Sequence, residues 1–119
     1  MILVDSSVWI EHLRHDLPEL RQVLHAGEAL AHPLVIGELA MGNLRQRATI
    51  IERLRDLPQA KVATDEETLD FVSRERLYGL GIGYIDAHLI ASTRLTPGAR
   101  LWTRDRRLAA VAARLGVLI

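Results

Sequence analysis

The run Met1-Ile2-Leu3-Val4 is short, apolar and β-branched at two positions, and it stops abruptly at Asp5-Ser6-Ser7. A continuous apolar run bounded by a polar turn reads as a strand buried on both faces, the signature of a central strand in a parallel sheet. The polar triplet then lies at the strand's carboxyl end. In open α/β sheets that edge is where ligands bind, commonly where the strand order reverses. The first constraint on this chain is therefore a carboxylate, Asp5, set where a site belongs.

The rest of the chain repeats the alternation. Ser6 to Leu13 has a helical pattern with a good N-cap before it. Pro18 opens a second helix that ends at Gly27, and Ala29-Leu30-Ala31 is a second strand. Pro33 suits the first position of a helix running to Met41. Ala48 to Leu57 is a further helix, closed by Pro58, and Lys61-Val62-Ala63 is a third strand. Thr64 and Glu67 have capping-box spacing, so a helix starts there and runs to about Tyr78, before the glycines at 79, 81 and 83. Tyr84 to Leu95 is a helix, Arg100 to Thr103 a fourth strand, Asp105 to Leu115 a helix, and Val117 to Ile119 a last strand. Strands separated by helices predict right-handed crossovers and a parallel sheet covered on both sides, an α/β class fold.

At 119 residues the chain predicts one domain spanning 1–119. With 49% hydrophobic and 25% charged residues, it can form both a core and a wetted surface. The absence of cysteine excludes disulfides and thiolate metal sites and fits a reducing, cytoplasmic setting. Met1 leads straight into a strand, so no signal peptide is expected. No apolar run reaches the roughly 18 residues of a membrane span. The formal net charge is zero, so nucleic-acid binding has to rest on local patches.

Four carboxylates stand where folding alone would not choose them. Asp5 ends the first strand, Glu38 interrupts an apolar helical run, Asp86 sits between Ile85 and Ala87, and Asp105 follows the strand Leu101-Trp102-Thr103. Each has an ordinary structural role open to it. Asp5 can cap the first helix, Asp105 can favour a helix dipole, Glu38 can face solvent, and Asp86 can cap its helix after Gly83 or pair with an arginine. Taken together they point elsewhere. Asp5 and Asp105 both follow strands, so a parallel sheet puts them on the same edge. Glu38 and Asp86 can join from helices that start near that edge. Four close carboxylates would repel, which a hard divalent cation resolves. All-oxygen ligation without thiols points to Mg²⁺ or Mn²⁺ rather than zinc. A solvated ion on carboxylates suits phosphoryl chemistry.

Arg104, Arg106 and Arg107 surround the last acid. Cations in the first turn oppose the helix dipole, so phosphate binding is one reason for the cluster and an ordinary solvated charge run is the other. Arg45 and Arg47 form a smaller patch with the same two readings. Ser7 and Thr103 each lie two residues from an acid, where they can orient a carboxylate or simply cap. His12, His15 and His88 are not assigned as bases, and Trp9 and Trp102 are assigned to the core.

The stretches Ile2-Leu3-Val4-Asp5-Ser6-Ser7, Gly37-Glu38-Leu39, Tyr84-Ile85-Asp86-Ala87 and Leu101-Trp102-Thr103-Arg104-Asp105 resemble the four motifs of PIN-domain ribonucleases, and the whole chain resembles VapC toxins of bacterial toxin–antitoxin pairs. The resemblance implies a three-layer α/β/α fold with a five-stranded parallel sheet. It implies that Asp5, Glu38, Asp86 and Asp105 are catalytic and converge on Mg²⁺ or Mn²⁺, with Asp5, Asp86 and Asp105 as metal ligands. Ser7 and Thr103 match the supporting hydroxyls. It further implies hydrolysis of RNA such as tRNA or rRNA, a homodimer, and a VapB-like antitoxin that silences the toxin and carries the DNA-binding part. Two other readings stay open: a non-catalytic module that only sequesters a partner, and a nuclease acting on DNA. A phosphoryl-acceptor receiver domain fits poorly, because the only lysine, Lys61, starts a strand.

Overall fold

In the computed structural model, which describes residues 1–119, a small parallel sheet carries all the strands. The strands are β1 (Ile2–Val4), β2 (Ala29–Leu30) and β3 (Arg100–Trp102), in the order β2-β1-β3. The first strand is thus central, as its unbroken apolar run requires. Leu3, Val4 and Leu101 are fully buried. In register, Val4 stands beside Trp102, which makes Asp5 and Thr103 the next residues out at the carboxyl edge.

Seven helices complete the chain: α1 (Ser6–His15), α2 (Pro18–His25), α3 (Pro33–Ala40), α4 (Arg47–Asp56), α5 (Asp65–Glu75), α6 (Tyr84–Leu95) and α7 (Arg106–Arg114). Pro33 takes the first turn of α3 as expected. The capping box of α5 is present in both directions: Glu67 N–H donates to Thr64 Oγ1 at 3.0 Å, and Thr64 N–H donates to Glu67 Oε1 at 2.9 Å. Helix α6 is the most buried, with Ala87 through Thr93 all inside. It packs against β3 and α5, while α3 packs against α1 and α4. No helix is long and apolar enough to cross a membrane.

The expected five strands are three. Of the expected strands Lys61–Ala63 and Val117–Ile119, neither forms as such. Each edge carries one isolated bridge instead, Ala31 with Gln59 and Leu101 with Leu118. On the first edge, the pairing bonds are Ala31 N–H to Pro58 O and Ala60 N–H to Ala31 O, both 2.9 Å. Beyond them the backbone donors turn to α6: Lys61 N–H goes to Thr96 Oγ1 and Ala63 N–H to Ser92 Oγ. Side-chain hydroxyls thus satisfy donors that a sheet neighbour would otherwise take.

Helix α5 also stops sooner than the glycines at 79–83 suggest. Arg76 adopts a left-handed φ of 55°, and Leu77 N–H closes back on Val72 O at 2.9 Å, a Schellman-type end built without glycine. Arg114 Nη2 donates to the freed Glu75 carbonyl at 2.7 Å. Trp9 is buried in the core with its Nε1 unpartnered, and Trp102 is half-buried against the core.

Candidate active site

Asp5, leaving β1 at the carboxyl edge, is buried. Its backbone has N-cap geometry for α1, yet its side chain makes no capping bond. Instead, Oδ2 accepts two hydroxyl hydrogens, from Ser7 Oγ and from Thr103 Oγ1, each at 2.7 Å. Each hydroxyl has a single proton, and Asp5 takes both. Their oxygens then serve as acceptors: Arg104 N–H donates to Ser7 Oγ and Asp105 N–H to Thr103 Oγ1, both at 3.0 Å. Hydroxyl and amide hydrogens thus run in one direction, from the backbone that carries Asp105 to the carboxylate of Asp5.

Asp86 and Asp105 combine the capping and the site readings. Asp86 Oδ2 accepts from Gly83 N–H at 3.0 Å, at the start of α6. Asp105 is the N-cap of α7, with Oδ1 accepting from Arg107 N–H at 2.9 Å and Leu108 N–H at 3.0 Å. In each case one oxygen is occupied and the other is free of hydrogen bonds within the protein. Backbone bonding therefore fixes the carboxylate's orientation without using it up.

The acids feel one another. Glu38 remains solvent-exposed, yet protein packed around its carboxyl pushes its pKa up; the Ser6 hydroxyl opposes this, and the charges of Asp5 and Asp86 add to it. The Asp86 pKa is likewise raised, first by burial and then by the charges of Asp5 and Asp105, against the pull of Gly83 N–H. Mutual repulsion thus links Asp5 to Glu38 and to Asp86, and Asp86 to Glu38 and Asp105. The four acids named from the sequence are thus linked through their charges, Asp86 to each of the other three. They do not close into a coordination set, since no group of three or more His, Cys, Asp or Glu side chains stands at metal-binding separation. Backbone hydrogen bonds anchor two of them, Asp86 and Asp105. The donor set itself is hard, all-oxygen and in excess of negative charge, which fits Mg²⁺ or Mn²⁺.

Ser7 orients the carboxylate two residues before it, as its spacing predicts, whereas Thr103 orients Asp5 across the strands and meets Asp105 only at its backbone N–H. Arg104, Arg106 and Arg107 are exposed and form no ion pair within the protein. Ser6 was not singled out from the sequence, whereas the Gly83–Asp86 cap was. The signal for Gly83 was its place three residues before Asp86, the spacing of a cap.

Two histidines have structural tasks. His88 is enclosed, with Nδ1 3.2 Å from Thr68 Oγ1 and Nε2 2.9 Å from Asp65 Oδ1, which also accepts from Tyr84 OH. His32 caps α3: its Nδ1 accepts from Leu34 N–H, which leaves the proton on Nε2, facing Ser92 Oγ at 3.0 Å. An apolar hollow of about 310 Å³, lined by Trp9, Leu24, Leu39 and Leu54, includes none of the four acids.

The family model described as PIN domain matches residues 2–114. Ribonuclease VapC32 of Mycobacterium tuberculosis, in strains CDC 1551 / Oshkosh and ATCC 25618 / H37Rv, is 51% identical over 119 residues, which take in 100% of this chain and 96% of that protein.

Proposed function

The chain belongs to the PIN-domain family and is of VapC type, and from that premise we propose that it is a metal-dependent endoribonuclease acting as the toxin of a type II toxin–antitoxin pair. The observation that carries the reading is the hydroxyl pair at the sheet's carboxyl edge: Ser7 and Thr103 hold the buried Asp5 carboxylate and tie it to the backbone that carries Asp105. Near it, Glu38 and Asp86 have pKa values raised first by burial and then by neighbouring carboxylates, a pattern that functional sites favour. The similarity to a protein named a ribonuclease gives it a chemistry.

Asp5, Asp86 and Asp105 are the residues that would hold Mg²⁺ or Mn²⁺, each through an oxygen not engaged by the protein. Such an ion polarises a phosphate oxygen and lowers the pKa of a water it binds. Ser7 and Thr103 lock the Asp5 carboxylate in place. Glu38, exposed and with its pKa raised, is suited to exchange a proton with water or a leaving oxygen at its carboxyl. Arg104 and Arg106 supply unpaired positive charge for RNA phosphates. The expected partners are a VapB-like antitoxin, a tRNA or rRNA substrate, and a second copy in a homodimer.

The test is cleavage of structured RNA by the purified protein, with the metal removed by chelator and then restored. Cleavage should need Mg²⁺ or Mn²⁺ and disappear in Asp86→Asn. Metal-independent cleavage, or full activity of Asp86→Asn, overturns the reading. The open spacing of the acids favours one other reading, a non-catalytic module that binds RNA or protein. That reading predicts that expression of Asp86→Asn arrests growth as strongly as the wild type.

A further inference from the structure

Gly81 lies in the segment joining α5 to α6, with φ of +79°. A Cβ placed on it would stand 2.8 Å from both Cδ and Nη1 of Arg107 and 3.1 Å from its Nε. The Arg107 side chain therefore lies directly on the glycine backbone, in space that any other residue would fill. Apart from a local turn at Tyr78 and Gly79, the backbone of Tyr78 to Ile82 makes no hydrogen bond to any other element. Its hold comes from packing, with Ile82 against the core and Arg107 across Gly81. The guanidinium makes no hydrogen bond or ion pair that would hold it elsewhere.

Both ends of this contact lead to an acid. Arg107 N–H donates to Asp105 Oδ1 at 2.9 Å. Two residues beyond Gly81, Gly83 N–H donates to Asp86 Oδ2 at 3.0 Å. We propose that Arg107 is a positioning residue: by lying across Gly81 it seats the loop that holds Asp86 and so fixes Asp86 relative to Asp105. A planar guanidinium on a long apolar stem suits this task, because it packs broadly on backbone while staying hydrated. The proposal rests on the nuclease reading of the four acids. It also separates Arg107 from its neighbours Arg104 and Arg106, with which the sequence grouped it as a phosphate contact.

The test uses the full chain as wild type, Arg107→Ala, Arg107→Lys, Gly81→Ala and the double variant; Arg106→Ala, at a phosphate contact, is the comparison that should raise KM and keep Mn²⁺ affinity. Folding of each is checked by circular dichroism; Arg107 is exposed, so its removal leaves the core filled. Mn²⁺ affinity is measured by calorimetry without RNA, then kcat and KM on RNA, then the salt dependence of RNA binding. Arg107→Ala should weaken Mn²⁺ binding and lower kcat by about tenfold each. KM should stay within about twofold. Lysine should not rescue, since it keeps the charge and lacks the planar head. Gly81→Ala crowds the guanidinium and also strains a backbone at φ of +79°, so it should show at least the same losses, and the double variant should be no worse than Gly81→Ala alone. If Arg107→Ala keeps wild-type Mn²⁺ affinity, raises KM, loses about one unit of salt slope and is rescued by lysine, Arg107 is a phosphate contact and the proposal is overturned. Variants indistinguishable from wild type overturn it as well. A wild type that neither binds Mn²⁺ nor cleaves RNA sinks the nuclease reading itself, and is seen before any variant is compared.

Discussion

Thr103 Oγ1, just past β3, donates to Asp5 Oδ2, just past β1, at 2.7 Å, and accepts from Asp105 N–H at 3.0 Å. One hydroxyl thereby joins two adjacent strand ends and two acids. Thr103→Val removes the hydroxyl and keeps the shape. It leaves buried Asp5 with one donor and the Asp105 N–H with none. The expected loss is about 1–3 kcal/mol of stability. Urea denaturation measures it, and Thr103→Ser should recover most of it. An unchanged midpoint for Thr103→Val would show that the hydroxyl bears no load.

Asp86→Asn separates stability from activity. The raised pKa of Asp86 means that folding disfavours its charge, first through burial and then through Asp5 and Asp105. Without metal, the neutral amide should therefore be at least as stable as the wild type. Nuclease activity should fall by about 100-fold or more, the scale of removing one electrostatic group from a reacting centre. In the wild type, saturating Mn²⁺ should raise the melting temperature, by about 2.7 kcal/mol of stabilisation at a hundred times Kd. The variant should show little of that rise. Calorimetric scans with and without chelator check all three; an Asp86→Asn protein that gains as much from Mn²⁺ as the wild type contradicts the ligand assignment.

His32 makes the fold acid-sensitive. Burial, and then the nearby charge of His88, depresses its pKa from 6.5 to about 4. The folded protein therefore refuses a proton that the unfolded chain accepts. The contribution is fully present above the unfolded pKa and is lost as pH falls from about 6.5 toward about 4. At pH 5 it should amount to about 2 kcal/mol relative to neutral pH. Denaturation midpoints at pH 7.5 and 5.0 test the sign. The His32→Gln protein, which keeps an amide in place of the ring, should lose less over the same interval.

The capping box at α5 offers a change distant from the acids. Thr64→Ala removes the acceptor for Glu67 N–H and should reduce stability by about 1 kcal/mol. RNA cleavage per folded molecule should be unaltered. A loss of activity beyond the loss of folded protein would place α5 in the reaction.

The features that local chemistry dictates were readable from the chain. An unbroken apolar strand had to be central, Pro33 had to open a helix, and Thr64 with Glu67 had to close a cap. Glu38 and Asp86 stood out because each broke an apolar context, Asp5 and Asp105 because each follows a strand. Features that depend on distant partners were not readable. Lys61–Ala63 has strand-like composition, but the hydroxyls of Ser92 and Thr96, some thirty residues on, take its donors. Arg76 carries no sign of the left-handed turn that ends α5. The choice between cap and site for Asp86 and Asp105 was a false one, since each carboxylate has two oxygens and uses them differently. Arg107 looked like its neighbours until its contact with Gly81 separated it.

The two outermost pairings of the sheet, at Gln59 and at Leu118, are a single bridge each. A long bare margin of amides and carbonyls would be a template on which further chains could add and grow into fibrils. Here each flank pairs at a single position, so neither offers a stretch worth extending. Heat-damaged protein should accordingly form amorphous clumps through its loosened greasy surfaces, and dyes specific for cross-β order should stay dark.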